Sequence, residues 1–92
     1  MDINYELYKV FYYVASTLSF SEASKQLFIS QSAVSQSIKA LEKKLDQTLF
    51  IRSTKKVRLT TEGEILLRHI EPAISLIKRG ESQLLDVGVR GG

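Results

Sequence analysis

Gln31, Ser32, Ser35, Gln36 and Lys39 recur within one short stretch, "QSAVSQSIKALEKKL", at spacings that gather them on one side of an α-helix. At about 100° per residue, with Val34 as origin, Ser32, Ser35, Gln36, Lys39 and Lys43 fall between roughly 100° and 200°. Val34, Ile38, Leu41 and Leu45 fall within an arc of about 60°, the stripe of a core-facing helix. Ser and Gln are middling helix formers, so folding gives no reason to concentrate them on a free face that Glu and Lys would solubilise as well. Recognition gives one. Ser both donates and accepts, Gln can engage adenine through two parallel bonds, and an ammonium group attracts phosphate. The surface such a face fits is a groove of duplex DNA.

Charge supports the same direction. The chain of 92 residues carries a net +3, and the excess is confined to its middle third. There Lys39, Lys43, Lys44, Arg52, Lys55, Lys56 and Arg58 face only Glu42 and Asp46, while the two outer thirds are each slightly acidic. A basic segment coinciding with a hydrogen-bonding helix face is the electrostatic footprint expected of a nucleic-acid binder.

The elements that must position these residues follow from periodicity. Leu7, Val10, Phe11 and Val14 form a helical stripe, predicting a first helix over 5–17 with Asn4 as N-cap and Tyr8, Tyr12 and Tyr13 packing at its border. A second, short helix is expected over 22–28, capped by Ser21, with Glu22 in the first turn and Ala23 and Leu27 four apart. Ser30 caps a third over 31–45, and so tight a connection makes the pair a helix-turn-helix. Leu49–Ile51 and Val57–Leu59 flank the basic tip "STKK" and predict a two-stranded hairpin, a wing whose Arg52, Ser53, Lys55, Lys56 and Arg58 can meet phosphates or a minor groove.

From Thr60 or Thr61, either a good N-cap, a last helix is expected to run to about Asp86. Leu66, Ile70, Ala73, Ile77, Gly80, Leu84 and Val87 alternate spacings of four and three, a heptad seam that calls for a partner. Pro72 is expected to kink this helix near Arg68, and Gly80 leaves a gap in the seam. A segment folding back on its own domain is the alternative. The final "VGVRGG", with residues 88–92, reads as a hinge or a chain boundary.

"SFSEASKQLFISQSAVSQSIKALEKKL" followed by "LFIRSTKKVRLTTEGE" resembles, in order and spacing, the N-terminal DNA-binding region of LysR-type transcriptional regulators, over residues 2–87. The resemblance implies a mainly α fold: a winged helix-turn-helix over 1–59, a linker and dimerisation helix over 60–87, and a C-terminal effector-sensing domain beyond this chain. It carries DNA contacts onto Gln31, Ser32, Ser35, Gln36 and Lys39, and onto Arg52 with the wing's basic residues. It carries pairing with another subunit onto the linker helix, whose seam residues Leu66, Ile70, Ala73, Ile77 and Leu84 are the expected homodimer interface. A small-molecule effector would act only through the absent domain. Ser32 stands where the family usually has proline, Gln36 where arginine is common, Thr61 where proline often follows the cap, and Leu18 where glycine often ends the first helix. The Gln36 departure counts against a direct guanine contact.

Other chemistries find little here. Without cysteine there is no disulfide or thiolate zinc site, and a single histidine, His69, builds no metal centre. No phosphate-binding Gly-Lys-Ser/Thr loop, no G-x-S-x-G elbow and no carboxylate cluster around His69 suggests an enzyme. No secretory signal and no apolar run long enough to span a bilayer is present, so a cytoplasmic protein without membrane association or cofactor is expected. The rival reading is a helical protein–protein interaction module, which predicts no affinity for duplex DNA and leaves the Ser/Gln face unexplained.

Overall fold

The computed structural model describes residues 4–90, with side chains to residue 87. Four helices and a hairpin follow one another as α1 (Tyr5–Thr17), α2 (Phe20–Leu27), α3 (Gln31–Leu45), β1 (Phe50–Arg52), β2 (Val57–Leu59) and α4 (Thr61–Arg90). The strands pair antiparallel, with Phe50 opposite Leu59 and Arg52 opposite Val57.

Each helix starts where a short polar side chain satisfies a free amide. The Asn4 Oδ1 accepts from the Glu6 N–H at 3.1 Å, and the Ser30 hydroxyl accepts from the Ala33 N–H at 3.1 Å. For α2 the cap is Ser19, not Ser21: the Ser19 hydroxyl accepts from the Glu22 N–H at 3.0 Å. The helix therefore begins two residues earlier than the sequence suggests and ends at Leu27. The earlier start puts Phe20 on the same inward stripe as Ala23, and both are buried. α1, α2 and α3 end on Leu18, Phe28 and Asp46, all left-handed with φ of 51°, 58° and 54°. None of the three is glycine, so each carries some steric strain at its Cβ. At Phe28 nothing in the packing offsets it, because the ring is 94% exposed.

Val10, Phe11, Val14 and Ala15 of α1, Phe20 and Ala23 of α2, and Val34, Ile38 and Leu41 of α3 make one core, closed by Leu49 and Phe50. The α3 residues are those of the narrow apolar arc, which leaves the opposite face of that helix free. Phe50 stacks tilted on Phe11 at 5.4 Å and edge-on to Phe20 at 6.1 Å, tying the wing's first strand to two helices.

α4 is continuous through Pro72. The proline removes the donor to the Arg68 carbonyl, yet both residues are exposed and water can reach that oxygen. At 1.5 Å per residue the helix is about 45 Å long, and the molecule extends 53 Å along its major axis. Its first half packs inward: Leu66, Leu67 and Ile70 lie against the core, and Ile74 is 3% exposed. The expected seam therefore divides. Leu66 and Ile70 are largely occupied by their own domain, whereas Ala73, Ile77 and Leu84 remain exposed together with Leu76, Leu85 and Val87. Residues 88–90, expected in a hinge, continue α4, and Gly91 and Gly92 lie outside the described residues.

One junction connects α3, the wing and α4. The Leu49 and Phe50 N–H groups donate to the Glu42 carboxylate, at 2.7 and 3.3 Å. The Leu49 carbonyl accepts from the Thr60 N–H at 2.9 Å, and the Thr60 hydroxyl donates to the Thr48 carbonyl at 2.6 Å while accepting from the Gly63 N–H at 3.0 Å. Thr60, rather than Thr61, is thus the cap of α4. Gly63 must lack a side chain, since a Cβ there would collide with the Leu49 carbonyl oxygen and approach the Leu59 Cδ2 to 2.8 Å. Gly80 on the same helix has open space around it. The two glycines should respond to alanine with opposite sign. Gly80→Ala should stabilise by about 0.5–1 kcal/mol through helix propensity. Gly63→Ala should destabilise by about 1–2 kcal/mol, since displacing a backbone carbonyl outweighs that gain. Urea denaturation of the two variants checks both.

Candidate nucleic-acid interface

The free face of α3 presents Gln31, Ser32, Gln36 and Lys39, all exposed, with Ser35 half-buried beside them. Because Val34, Ile38 and Leu41 are locked into the core, the rotation of the helix about its axis is fixed. The polar strip can therefore only face outward. Of the five residues singled out on this helix, Ser35 is the least accessible, lying at the border between strip and core.

The wing is a short hairpin closed by its own serine. The Ser53 N–H donates to the Lys56 carbonyl at 2.8 Å, and the Ser53 hydroxyl donates to that carbonyl at 3.2 Å and accepts from the Lys56 N–H at 3.1 Å. These bonds turn the chain through Thr54 and Lys55 and leave the Lys55 and Lys56 ammonium groups on an exposed tip. Ser53 itself has its hydroxyl engaged in holding the turn.

A groove brings wing and helices together. It is lined by Leu18, Ser19, Phe20 and Ser21 at the start of α2, by Gln31 at the start of α3, and by Arg52 through Val57 of the wing. Arg52, Lys55 and Lys56 thus share one concave, cationic surface with Gln31, the first residue of the polar strip. Arg58 is not brought there. Its Cα pairs with Ile51, and it lies with Ile51, Ser53 and Lys56 along the opposite face of the hairpin. Its contribution to any anion is separate from that of Arg52.

Sequence reasoning passed over the α2 side of this groove. Phe20, Ala23 and Leu27 stand three and four apart, so the stripe that places Phe20 at the groove was present in the residue spacing. It was obscured by two serines, Ser19 and Ser21, each able to cap. Among the described residues, no helix is long and apolar enough to cross a membrane.

Comparison with known proteins is consistent with this geometry. Residues 5–64 match the family described as bacterial regulatory helix-turn-helix protein, lysR family. The chain is 42% identical over 74 residues to the HTH-type transcriptional regulator PerR of Escherichia coli (strain K12), an alignment covering 80% of this chain and 25% of that protein. It is 40% identical over 85 residues to an uncharacterised HTH-type transcriptional regulator of Methanocaldococcus jannaschii, covering 92% of this chain and 28% of the relative. The chain thus spans about a quarter of the length of these relatives. Among solved structures, it resembles the oxidised form of Corynebacterium glutamicum OxyR with a TM-score of 0.85 at 31% identity, covering 91% of this chain and 27% of that one. It also resembles the CbnR DBD–DNA complex with a TM-score of 0.79 at 26% identity, covering 94% of this chain and 99% of that one. The helix-turn-helix, the wing and the long final helix are those of the lysR family of bacterial regulatory proteins, to which this chain belongs.

Proposed function

We propose that the chain binds duplex DNA sequence-specifically, as the reading region of a LysR-type transcriptional regulator. The observation that carries this is the exposed strip of Gln31, Ser32, Gln36 and Lys39, which the buried Val34, Ile38 and Leu41 hold outward and which meets the cationic wing in one groove. α3 enters the major groove. Gln31, Ser35 and Gln36 discriminate between bases, each good contact contributing about 1–3 kcal/mol. Lys39, Arg52, Lys55, Lys56 and Arg58 supply attraction to phosphates that is independent of sequence. Family members with a DNA complex, such as the CbnR DBD, support the assignment. The work is that of a regulator in the cytoplasm and not of an enzyme.

The same proposal makes the chain a homodimer through α4. Ile77 and Leu84, with Leu76, Leu85 and Val87, form an apolar surface that their own domain leaves uncovered. Ala73 lies at the near end of this surface, and the seam continues toward the domain through the half-buried Ile70 and Leu66. Two reading heads related by a twofold axis read an interrupted inverted repeat, with half-sites about 34–36 Å apart or a multiple of that. Effector control belongs to the part of such a regulator that this chain does not match, since the relatives are roughly three times as long as this chain.

Selection of bound sequences from a random duplex library by the 92-residue chain tests this directly. A recovered motif with two inverted half-sites at that spacing is expected. Recovery of a pool no different from the input would refute sequence-specific binding, and a single unrepeated half-site would refute the paired arrangement.

A further inference from the structure

Arg52 is exposed, yet its guanidinium is not free to wander. Its Cζ lies 3.9 Å from the centroid of the Phe20 ring, directly over the face. Phe20 is only 4% exposed, the first residue of α2, and set edge-on against Phe50, which in turn stacks on Phe11. A line of rings thus runs from the centre of the core to the floor of the groove and ends under a cation. Guanidinium groups bind well to aromatic faces because the ring's negative quadrupole attracts the charge while the N–H edges remain available in plane. An arginine held this way keeps its donors pointing outward and has less freedom to lose on meeting an anion.

We infer that Phe20 is a positioning residue for the DNA contact: its ring face holds the Arg52 guanidinium at the groove beside Gln31, set in advance for one backbone phosphate. The inference rests on the assignment of Arg52 to DNA given above. Ser19 fixes the platform by capping α2, so the ring leaves the helix at its first turn, across the groove from the wing. The hydrophobic role of Phe20 in the core does not by itself require a ring. A leucine would fill much of the same space without offering a π face.

The test is a double-mutant cycle on duplex affinity, using the full 92-residue chain and its selected site, with Phe20→Leu, Arg52→Ala and the combination. Phe20→Leu should weaken binding by about three- to tenfold per bound subunit, because the cation–π attraction is gone and the arginine side chain is freed. In the Arg52→Ala background the same change should have almost no effect. Phe20→Tyr, which restores a ring face, should recover most of the affinity. Equal effects of Phe20→Leu in both backgrounds would overturn the inference while leaving Arg52 as a DNA contact. No effect of Arg52→Ala would overturn both the inference and that contact, leaving the remainder of the α3 reading intact. Should Phe20→Leu unfold the chain, the Arg52 δ-proton shifts in the unaltered protein decide: ring-current displacement upfield is expected, and ordinary shifts would overturn the platform.

Discussion

Replacing Lys55 and Lys56 together by alanine should weaken binding to any duplex by roughly fiftyfold per bound subunit near 0.1 M salt. Each phosphate that is no longer neutralised removes about 0.9 from the slope of log affinity against log salt. Two such phosphates therefore flatten the slope by nearly two for each subunit, with little change in preferred sequence. The variant isolates charge from structure. The turn is held by the backbone N–H and C=O of Lys56 bonded to Ser53, and alanine retains both groups. Neither side chain belongs to the core, so stability should hardly move. Anisotropy titrations at several salt concentrations, on the selected site and on a scrambled duplex, measure slope and preference together. A changed preference with an unchanged slope would mean that the wing reads bases rather than phosphates.

Glu42→Ala should be among the most damaging single changes to stability, at about 3 kcal/mol, a large part of what a domain of this size possesses. Its carboxylate accepts from the amides of Leu49 and Phe50, two residues that are almost completely buried. With alanine, both donors lose their partner at a place water reaches poorly, and an unsatisfied buried amide costs about 1–3 kcal/mol. The consequence extends to the interface, because Leu49 also anchors Thr60 and the start of α4. Glu42→Gln keeps an oxygen acceptor without charge and should lose less than half as much. Thermal unfolding followed by circular dichroism gives the order directly; a neutral Glu42→Ala would show that the wing is held by packing alone.

The exposed polar strip of α3 was legible because it rests on a single local rule. A 3.6-residue period fixes which side of α3 is buried, and the side chains left over declare their chemistry. The wing was legible for a similar reason, alternation on either side of a polar, basic tip. Glu42 was not. In the sequence it is one more charge on a helix, and its partners lie seven and eight residues ahead, across a turn whose path depends on how α3 ends at Asp46. The start of α2 was ambiguous because Ser19 and Ser21 cap equally well in isolation. What decides between them is Phe50, thirty positions after Phe20, whose ring gives Phe20 a buried place to go. The heptad pattern of α4 pointed to a partner without saying which, and did not show how much of the seam its own domain takes up. Ile74, one residue off the seam, is the position most deeply buried on that helix among its large side chains, and it shows that the nearer half of the rod leans on its own domain.

The unbroken course of α4 from Thr61 to Arg90 has a mechanical corollary. A rod of this kind couples length to angle: every inserted residue advances the far end by about 1.5 Å and swings it by about 100°. Whatever grips the distal turns fixes the compass bearing of the head that α4 carries. Adding one residue after Gly80 would aim the head away from its former direction, whereas adding seven would return it to within about 20° at a separation about 10 Å greater. Only length changes by whole repeats therefore preserve the bearing of the head.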